Sequence, residues 1–191
     1  MIHKLKKVTI MKQGGTMRKI LFVDYDKCTG CELCVLHCSF QKTQTFSRSH
    51  SAVRVMKEEE KGICIPEMCQ HCLEPECLLV CPVNAISRDE KTGIVSHDYK
   101  LCIKGCKLCL EVCSYGALSL DPVTGKVFEC NQCLGNPVCA RVCPIEIIHY
   151  QEAEPAALSD KDTWKRRLLK QGMGKTASEK RFASIRSKKG E

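Results

Sequence analysis

Sixteen cysteines of this chain fall into four quartets. The first, CTGCELCVLHC, holds Cys28, Cys31, Cys34 and Cys38. The second, CQHCLEPECLLVCP, holds Cys69, Cys72, Cys77 and Cys81. The third, CIKGCKLCLEVC, holds Cys102, Cys106, Cys109 and Cys113, and the fourth, CNQCLGNPVCARVCP, holds Cys130, Cys133, Cys139 and Cys143. A seventeenth, Cys64, stands apart. Clustered thiolates are soft metal ligands. Three in a tight loop set three sulfurs around one face of an iron–sulfur cubane, and a fourth, after three more residues, points away down the next helical turn. Zinc sites instead use CxxC pairs a dozen or more residues apart, often with His. Here the third and fourth cysteines follow too soon for separate tetrahedral sites. A disulfide framework belongs to exported chains. The N-terminus carries lysines but no apolar h-region and no small-residue cleavage site, so no secretory signal is read.

In two-cluster proteins with this spacing the fourth cysteine ligates the other cluster, so such motifs work in pairs. Four quartets then imply two pairs and four [4Fe-4S] clusters. All sixteen thiols are consumed as ligands, which leaves no open iron for a substrate. No nucleophile constellation, paired general acid and base or phosphate loop accompanies them; TGIV and GGT are too short for nucleotide loops. The chain is read as a carrier of electrons with no substrate chemistry of its own.

The elements that must hold these sulfurs are modest. Only 5 % of the 191 residues are aromatic, so a large conventional core is not expected. Arg18–Asp24 and Ala52–Glu59 read as strands. DEKTG (Asp89–Gly93) and DPVTG (Asp121–Gly125) each lie between short apolar runs and read as hairpin turns with Gly supplying positive φ. Each hairpin follows a quartet, so the middle of the chain looks internally repeated. The expected fold class is α+β: two tandem bacterial 2[4Fe-4S] ferredoxin-like units of short β-hairpins and small helices wrapped around clusters.

Three regions differ in composition. Residues 1–16 are basic and free of cysteine; they read as an extension ahead of a translation start at Met17, since Gly14-Gly15 can be encoded by a purine run of ribosome-binding type. Residues 17–150 hold every cysteine and form the four-cluster domain. Residues 151–191 form a basic tail in which Ser159 and Asp162 resemble a capping box, Trp164 and Leu168 share a helix face, and Gly172 is a stop. This tail is read as one short helix, with docking on a partner as its functional alternative.

The formal charge of +8 is concentrated in the arms. Residues 1–20 carry six Lys/Arg and no acid, and residues 151–191 carry eleven Lys/Arg against six acids. The middle carries thirteen against sixteen. Each tetrathiolate cluster adds about −2, so the loaded protein is close to neutral with an acidic body. No aromatic interleaving or known motif accompanies the basic arms, so nucleic acid is not expected as a partner. There is no run of about 18 apolar residues, hence no membrane span.

Among the remaining residues, Cys64 reads as a small buried core residue. His37 and His71 read as packing or hydrogen-bonding in cluster surroundings, since each quartet is already complete. Asp89, Glu90 and Glu58–Glu60 read as solvated faces.

The stretches PEMCQHCLEPECLLVCPVNAI, DEKTGIVSHDYKLC and CNQC…VCARVCP resemble the four-cluster ferredoxin subunits of molybdenum and tungsten oxidoreductases, such as the electron-transfer subunits of dimethyl sulfoxide reductase, formate dehydrogenase and polysulfide reductase. Similar small subunits serve carbon monoxide dehydrogenases, hydrogenases, tungsten aldehyde oxidoreductases and aryl-CoA reductases. The resemblance covers about Asp24 to Tyr150 and neither arm. It implies nested pairing, first quartet with fourth and second with third. The ligand sets would be Cys28, Cys31, Cys34 with Cys143; Cys130, Cys133, Cys139 with Cys38; Cys69, Cys72, Cys77 with Cys113; and Cys102, Cys106, Cys109 with Cys81. The spacing alone does not dictate this nesting. Two departures stand out. The third quartet opens CxxxC where the family has CxxC, with Lys104 or a neighbour inserted, which leaves three clusters as the alternative to four. Ser114 stands where Pro82 and Pro144 follow the second and fourth quartets.

The resemblance implies an electron-transfer subunit that passes single electrons to or from a catalytic oxidoreductase subunit of tungsten- or molybdenum-pterin type, in the cytoplasm. The alternatives are service to a carbon monoxide dehydrogenase or hydrogenase, and a freestanding polyferredoxin shuttle. A cluster-based regulator of nucleic acid rests only on the basic arms.

Overall fold

A computed structural model describes residues 18–153 apart from Pro122. The expected tail helix and the residue 1–16 extension lie outside the described residues.

Among the described residues the backbone forms four two-stranded antiparallel ladders and four short α-helices. Strand β1 (Arg18–Val23) buries Arg18, Ile20, Leu21 and Val23, leaves Lys19 and Phe22 exposed, and pairs with the last strand, β8 (Ile148–Ala153), in the register Arg18 to Ala153 through Val23 to Ile148. Helix α1 (Leu33–Thr43) follows the first cysteine loop. A hairpin of β2 (Arg54–Glu58) and β3 (Ile63–Glu67) follows, joined by a turn at Glu59–Lys61 and Gly62. Helix α2 (Glu76–Leu79) precedes the hairpin β4 (Ile86–Arg88) and β5 (Val95–His97). Helix α3 (Leu108–Val112) precedes the hairpin β6 (Ser119–Leu120) and β7 (Val127–Phe128), and α4 (Val138–Arg141) leads to β8.

The two turns read from DEKTG and DPVTG are built alike. Asp89 Oδ1 accepts the N–H and hydroxyl of Thr92, at 2.6 and 2.8 Å, and the Gly93 N–H returns to Asp89 O. Asp121 Oδ1 accepts the N–H groups of Val123 and Thr124, and the Gly125 N–H returns to Asp121 O. Each aspartate closes its own turn through a short side-chain acceptor. Asp89 is thus exposed, as expected, and also fixes the hairpin.

The halves of the fold are nested. Helix α1 packs on α4 and β1 on β8; α2 packs on α3. One apolar core gathers Leu21, Val23, Val35, Val53, Met68, Ile147 and Ile148 around Cys34, Cys38, Cys130 and Cys139. The other gathers Ile86, Val95, Leu110, Leu118 and Val127 around Cys109, with Cys77, Cys81 and Cys113 against it. The first core is discontinuous in sequence: the chain enters it, leaves to build the second, and returns. Cys64, read as a small buried core residue, is half-buried on β3, whose buried residues are Ile65, Pro66 and Glu67.

Candidate iron–sulfur sites

The third cysteine of each quartet occupies the same place. Cys34, Cys77, Cys109 and Cys139 are each the second residue of their helix. Free amide N–H groups and the positive end of the backbone dipole collect at such a first turn, where a thiolate gains most. The N–H of the next residue meets the sulfur at Cys34, Cys77 and Cys109, from Val35, Leu78 and Leu110.

The first cysteines share a second device. In three quartets the backbone turns left-handed two residues later, at Gly30 (φ +70°), His71 (φ +46°) and Gln132 (φ +52°). That turn aims the N–H back at the sulfur. His71 donates to Cys69 Sγ at 3.4 Å and Gln132 to Cys130 Sγ at 3.3 Å, and Gly30 donates to Cys28. The lengthened third quartet does not follow this pattern. Its extra residue is carried outward: Ile103, Lys104 and Gly105 are exposed, and the Gly105 N–H is bonded to Gly125 O on the β6–β7 turn.

A third repeat follows the last cysteines. Asn84, Gly116 and Glu146 all have positive φ and donate their N–H to the carbonyl of the cysteine three residues back. Ser114 leaves this turn intact, so the expected proline is not required for it; its hydroxyl instead donates to Glu76. After the second quartet the next N–H, from Ala85, reaches Cys81 Sγ at 3.3 Å.

Neighbouring thiols come from different quartets. Cys34 is pushed up to about 12, by burial first and then by the charges of Cys28, Cys31 and Cys143. Cys77 is pushed up to about 12 by burial, then by Cys113, Cys72 and Cys109. Burial raises Cys109 to about 12, with Cys102 and Cys106 adding to it. Cys130 rises to about 12 through burial and Cys38. Burial raises Cys139 further, with Cys130, Cys38 and Cys133 as the nearest charges. Cys69 is raised well above the ordinary thiol range by burial, with Cys130, Cys113 and Glu129 acting in the same sense.

Two small cavities lie among these groups. One of about 20 Å3 is lined by Cys28, Cys31, Cys34 and Cys143 together with Val55, Pro66, Ile145, Ile147 and Ile148. The other, also of about 20 Å3, is lined by Cys81, Cys102, Cys106 and Cys109 together with Ile86, Leu108 and Val127. Both present sulfur in an otherwise largely apolar wall. Among the described residues no three Cys, His, Asp or Glu side chains converge tightly enough to hold a single metal ion. The ligands of a four-iron cubane each take a different iron and stand further apart. Thiols held up near 12 by burial, with the charges of neighbouring thiols adding to it, ionise only beside a strong positive charge, and iron supplies it. The donor set therefore fits iron–sulfur clusters.

The histidines of the motifs differ. His37 bonds Leu33 O within α1. His71 is 2 % exposed; its Nδ1 accepts the Val95 N–H at 2.9 Å, and burial followed by the charges of Arg18 and Arg88 lowers its pKa to about 4. Its ring is therefore neutral and carries its proton on Nε2. The sequence reading missed Arg18 and Arg88, whose side chains reach the carbonyls of the second quartet's loop. It also missed the buried pair His97–Glu129. Their partners lie far away in sequence, and no local pattern announces them.

Comparison with known proteins agrees with the chemistry. The 4Fe-4S dicluster domain family matches residues 60–153 and the 4Fe-4S binding domain family residues 21–40. The chain is 35 % identical over 132 residues to the NADH-dependent phenylglyoxylate dehydrogenase subunit beta of Aromatoleum evansii, covering 68 % of this chain and 29 % of that protein. It is 36 % identical over 123 residues to the polyferredoxin-like subunit of the aliphatic sulfonate oxidoreductase of Pyrococcus furiosus, covering 64 % and 70 %. It is 30 % identical over 148 residues to the thiosulfate reductase electron transfer subunit of Salmonella typhi, covering 71 % and 76 %. The chain thus spans less than a third of the first of these relatives and most of the other two. Among the described residues no helix is long and apolar enough to cross a membrane. The chain belongs to the 4Fe-4S dicluster ferredoxin family of electron-transfer subunits of oxidoreductases.

Proposed function

We propose that this chain carries single electrons through four [4Fe-4S] clusters to or from a catalytic oxidoreductase subunit of tungsten- or molybdenum-pterin type, in the cytoplasm, and performs no substrate chemistry itself. The proposed ligand sets are Cys28, Cys31, Cys34 with Cys143; Cys130, Cys133, Cys139 with Cys38; Cys69, Cys72, Cys77 with Cys113; and Cys102, Cys106, Cys109 with Cys81. The observation that carries the reading is which thiols act on which. Cys143 lines one cavity with Cys28, Cys31 and Cys34, the charge of Cys38 acts on Cys130 and Cys139, and that of Cys113 on Cys77; Cys130 also acts on Cys69, where the two pairs adjoin. For the last set, Cys81 shares a cavity wall with Cys102, Cys106 and Cys109. When bound, such clusters supply one-electron transfer without bond making. The chain's own residues hold the irons through thiolates, aim N–H groups at the sulfurs and exclude water with apolar side chains. These are the levers by which a protein sets potential.

The test is iron and acid-labile sulfide per chain on anaerobically purified protein, with its co-eluting partners identified. About sixteen irons with a tungsten- or molybdenum-bearing partner is the expected result. About twelve irons would overturn the fourth site. Full clusters on a chain that elutes alone would favour a freestanding shuttle, and zinc in place of iron would overturn the reading.

A further inference from the structure

Two arginines meet at the loop of the second quartet. Arg18, on β1 in the outer half of the fold, is 7 % exposed and donates from Nη2 to His71 O at 3.0 Å and from Nη1 to Gly93 O at 3.3 Å. Arg88, on β4 of the inner half, donates from Nη1 to Leu73 O at 2.6 Å. The two guanidiniums are close enough to repel: the charge of Arg88 lowers the pKa of Arg18, second to burial, and Cys72 is the anion that opposes it. Neither has a carboxylate within ion-pair distance among the described residues. Three buried donors here lack a partner in the protein: Arg18 Nε, Arg88 Nε and His71 Nε2. A β-carbon at Gly93 would run into the Arg18 guanidinium and stand 2.8 Å from its Cδ.

Uncompensated buried cations are costly, and buried donors are almost always satisfied. Two positive charges and three free N–H groups around one cysteine loop call for an anion that accepts hydrogen bonds. A thiolate-ligated cluster is such an anion, and it becomes more negative on reduction.

We propose that Arg18, Arg88 and His71 form a cationic donor cradle around the cluster held by Cys69, Cys72, Cys77 and Cys113, and that this cradle makes it the highest-potential cluster of the chain. The proposal rests on the four-cluster reading above. The three side chains act through charge and N–H donation and leave iron ligation to the cysteines. Positive charge and hydrogen bonds to sulfur favour the reduced state. Of the four proposed ligand sets, this is the one for which the structure shows two such arginines; the buried carboxylate of Glu129, whose charge acts on Cys69, opposes them and is outnumbered by the two guanidiniums.

The test is an EPR-monitored redox titration of the iron-loaded full-length chain, with iron content measured on every variant. In Arg18→Gln and Arg88→Gln the highest potential falls, by about tenfold in the reduction equilibrium constant or about 59 mV for one electron, while the other clusters move less. Both variants shift the same signal, which Cys72→Ser identifies. Arg18→Lys and Arg88→Lys keep the charge and recover most of the shift. A purely structural role would leave the potentials of fully loaded variants unchanged. Unchanged potentials, or a shift in a signal that Cys72→Ser leaves alone, would overturn the cradle. If Arg18→Gln fails to fold, Arg88→Gln decides alone. A wild-type chain without iron and sulfide would overturn the cluster reading itself, which the iron assay detects separately.

Discussion

The carboxylate of Glu129 grips His97 twice: Oε1 accepts the His97 backbone N–H at 2.9 Å, and Oε2 faces Nδ1 of the same residue's ring. Glu129 precedes Cys130 of the fourth quartet, and His97 ends β5 and lines the cavity of Cys81, Cys102, Cys106 and Cys109. One buried side chain thus ties the outer half of the fold to the inner half. Its charge also acts on Cys69.

Replacing Glu129 by Leu leaves the His97 N–H unsatisfied and is expected to cost about 3 kcal/mol. Glu129→Gln retains an acceptor for that N–H and should cost less. Guanidinium unfolding of the iron-loaded chain, followed by its visible absorbance, measures both. Equal midpoints for the wild type and Glu129→Leu would show that the pair does not hold the halves together.

Gly30 sits at φ +70°, and a β-carbon there would stand 2.6 Å from Cys64 Sγ. Gly30→Ala should therefore lose about 1–2 kcal/mol from the backbone alone, with the clash in addition. Cys64→Ala removes the clashing sulfur, so the double variant should recover part of the loss. A double-mutant cycle reads the coupling directly. Additive losses would place Cys64 outside contact with the loop.

Glu32 lies between two cysteines of the first quartet and pairs with Lys57 at 2.8 Å and Arg48 at 2.6 Å. The hydrogen bond from Lys57 holds its carboxyl below the ordinary 4.5, against burial, with Arg48 helping. A folded-state value below the unfolded one gives stability that is present above about pH 4.5 and is lost as pH falls through the folded value. Glu32→Gln should flatten the stability profile in that window. The expected size is that of a surface ion pair, since Arg48 is largely exposed. Midpoints at pH 7 and pH 4 decide it: wild type and variant should differ more at pH 7.

Iron removal should unfold the chain. The apolar cores are small and are built around cysteine, so folding is coupled to metal. Anaerobic chelation is expected to abolish the far-ultraviolet circular dichroism of the short helices and hairpins together with the visible absorbance. A native-like spectrum after complete removal would refute the coupling.

Cys102 and Cys64 should separate in an iron assay. Cys102→Ala is expected to lose about four irons per chain and Cys64→Ala none. Equal losses would mean that the lengthened loop at Lys104 does not supply a ligand as the other quartets do.

Much of the chemistry is local and was legible in the sequence. A cysteine loop, the helical turn beneath its third cysteine and an Asp-x-x-Thr-Gly hairpin each close within a few residues, so cysteine spacing announced a helical turn in each quartet, and the two turn signals between apolar runs announced the β4–β5 and β6–β7 hairpins. The apolar run in Arg18–Asp24 and the alternation in Ala52–Glu59 announced the strands but not their partners. Residues 148–153 carry no turn to pair them locally, and only the return of the chain sets them beside β1. The hairpin after the fourth quartet, which repetition would suggest, is replaced by that closing strand. Which thiols stand together depends on the same return, because it brings α4 onto α1 across about a hundred residues. Tertiary structure likewise decided the charges around the clusters. Arg18 lies more than fifty residues from His71, yet its guanidinium reaches that loop's carbonyl in the closed chain. Cysteine spacing fixes ligand chemistry within a turn of backbone; the electrostatic surroundings of each site are assembled from strands that meet only when the chain has closed.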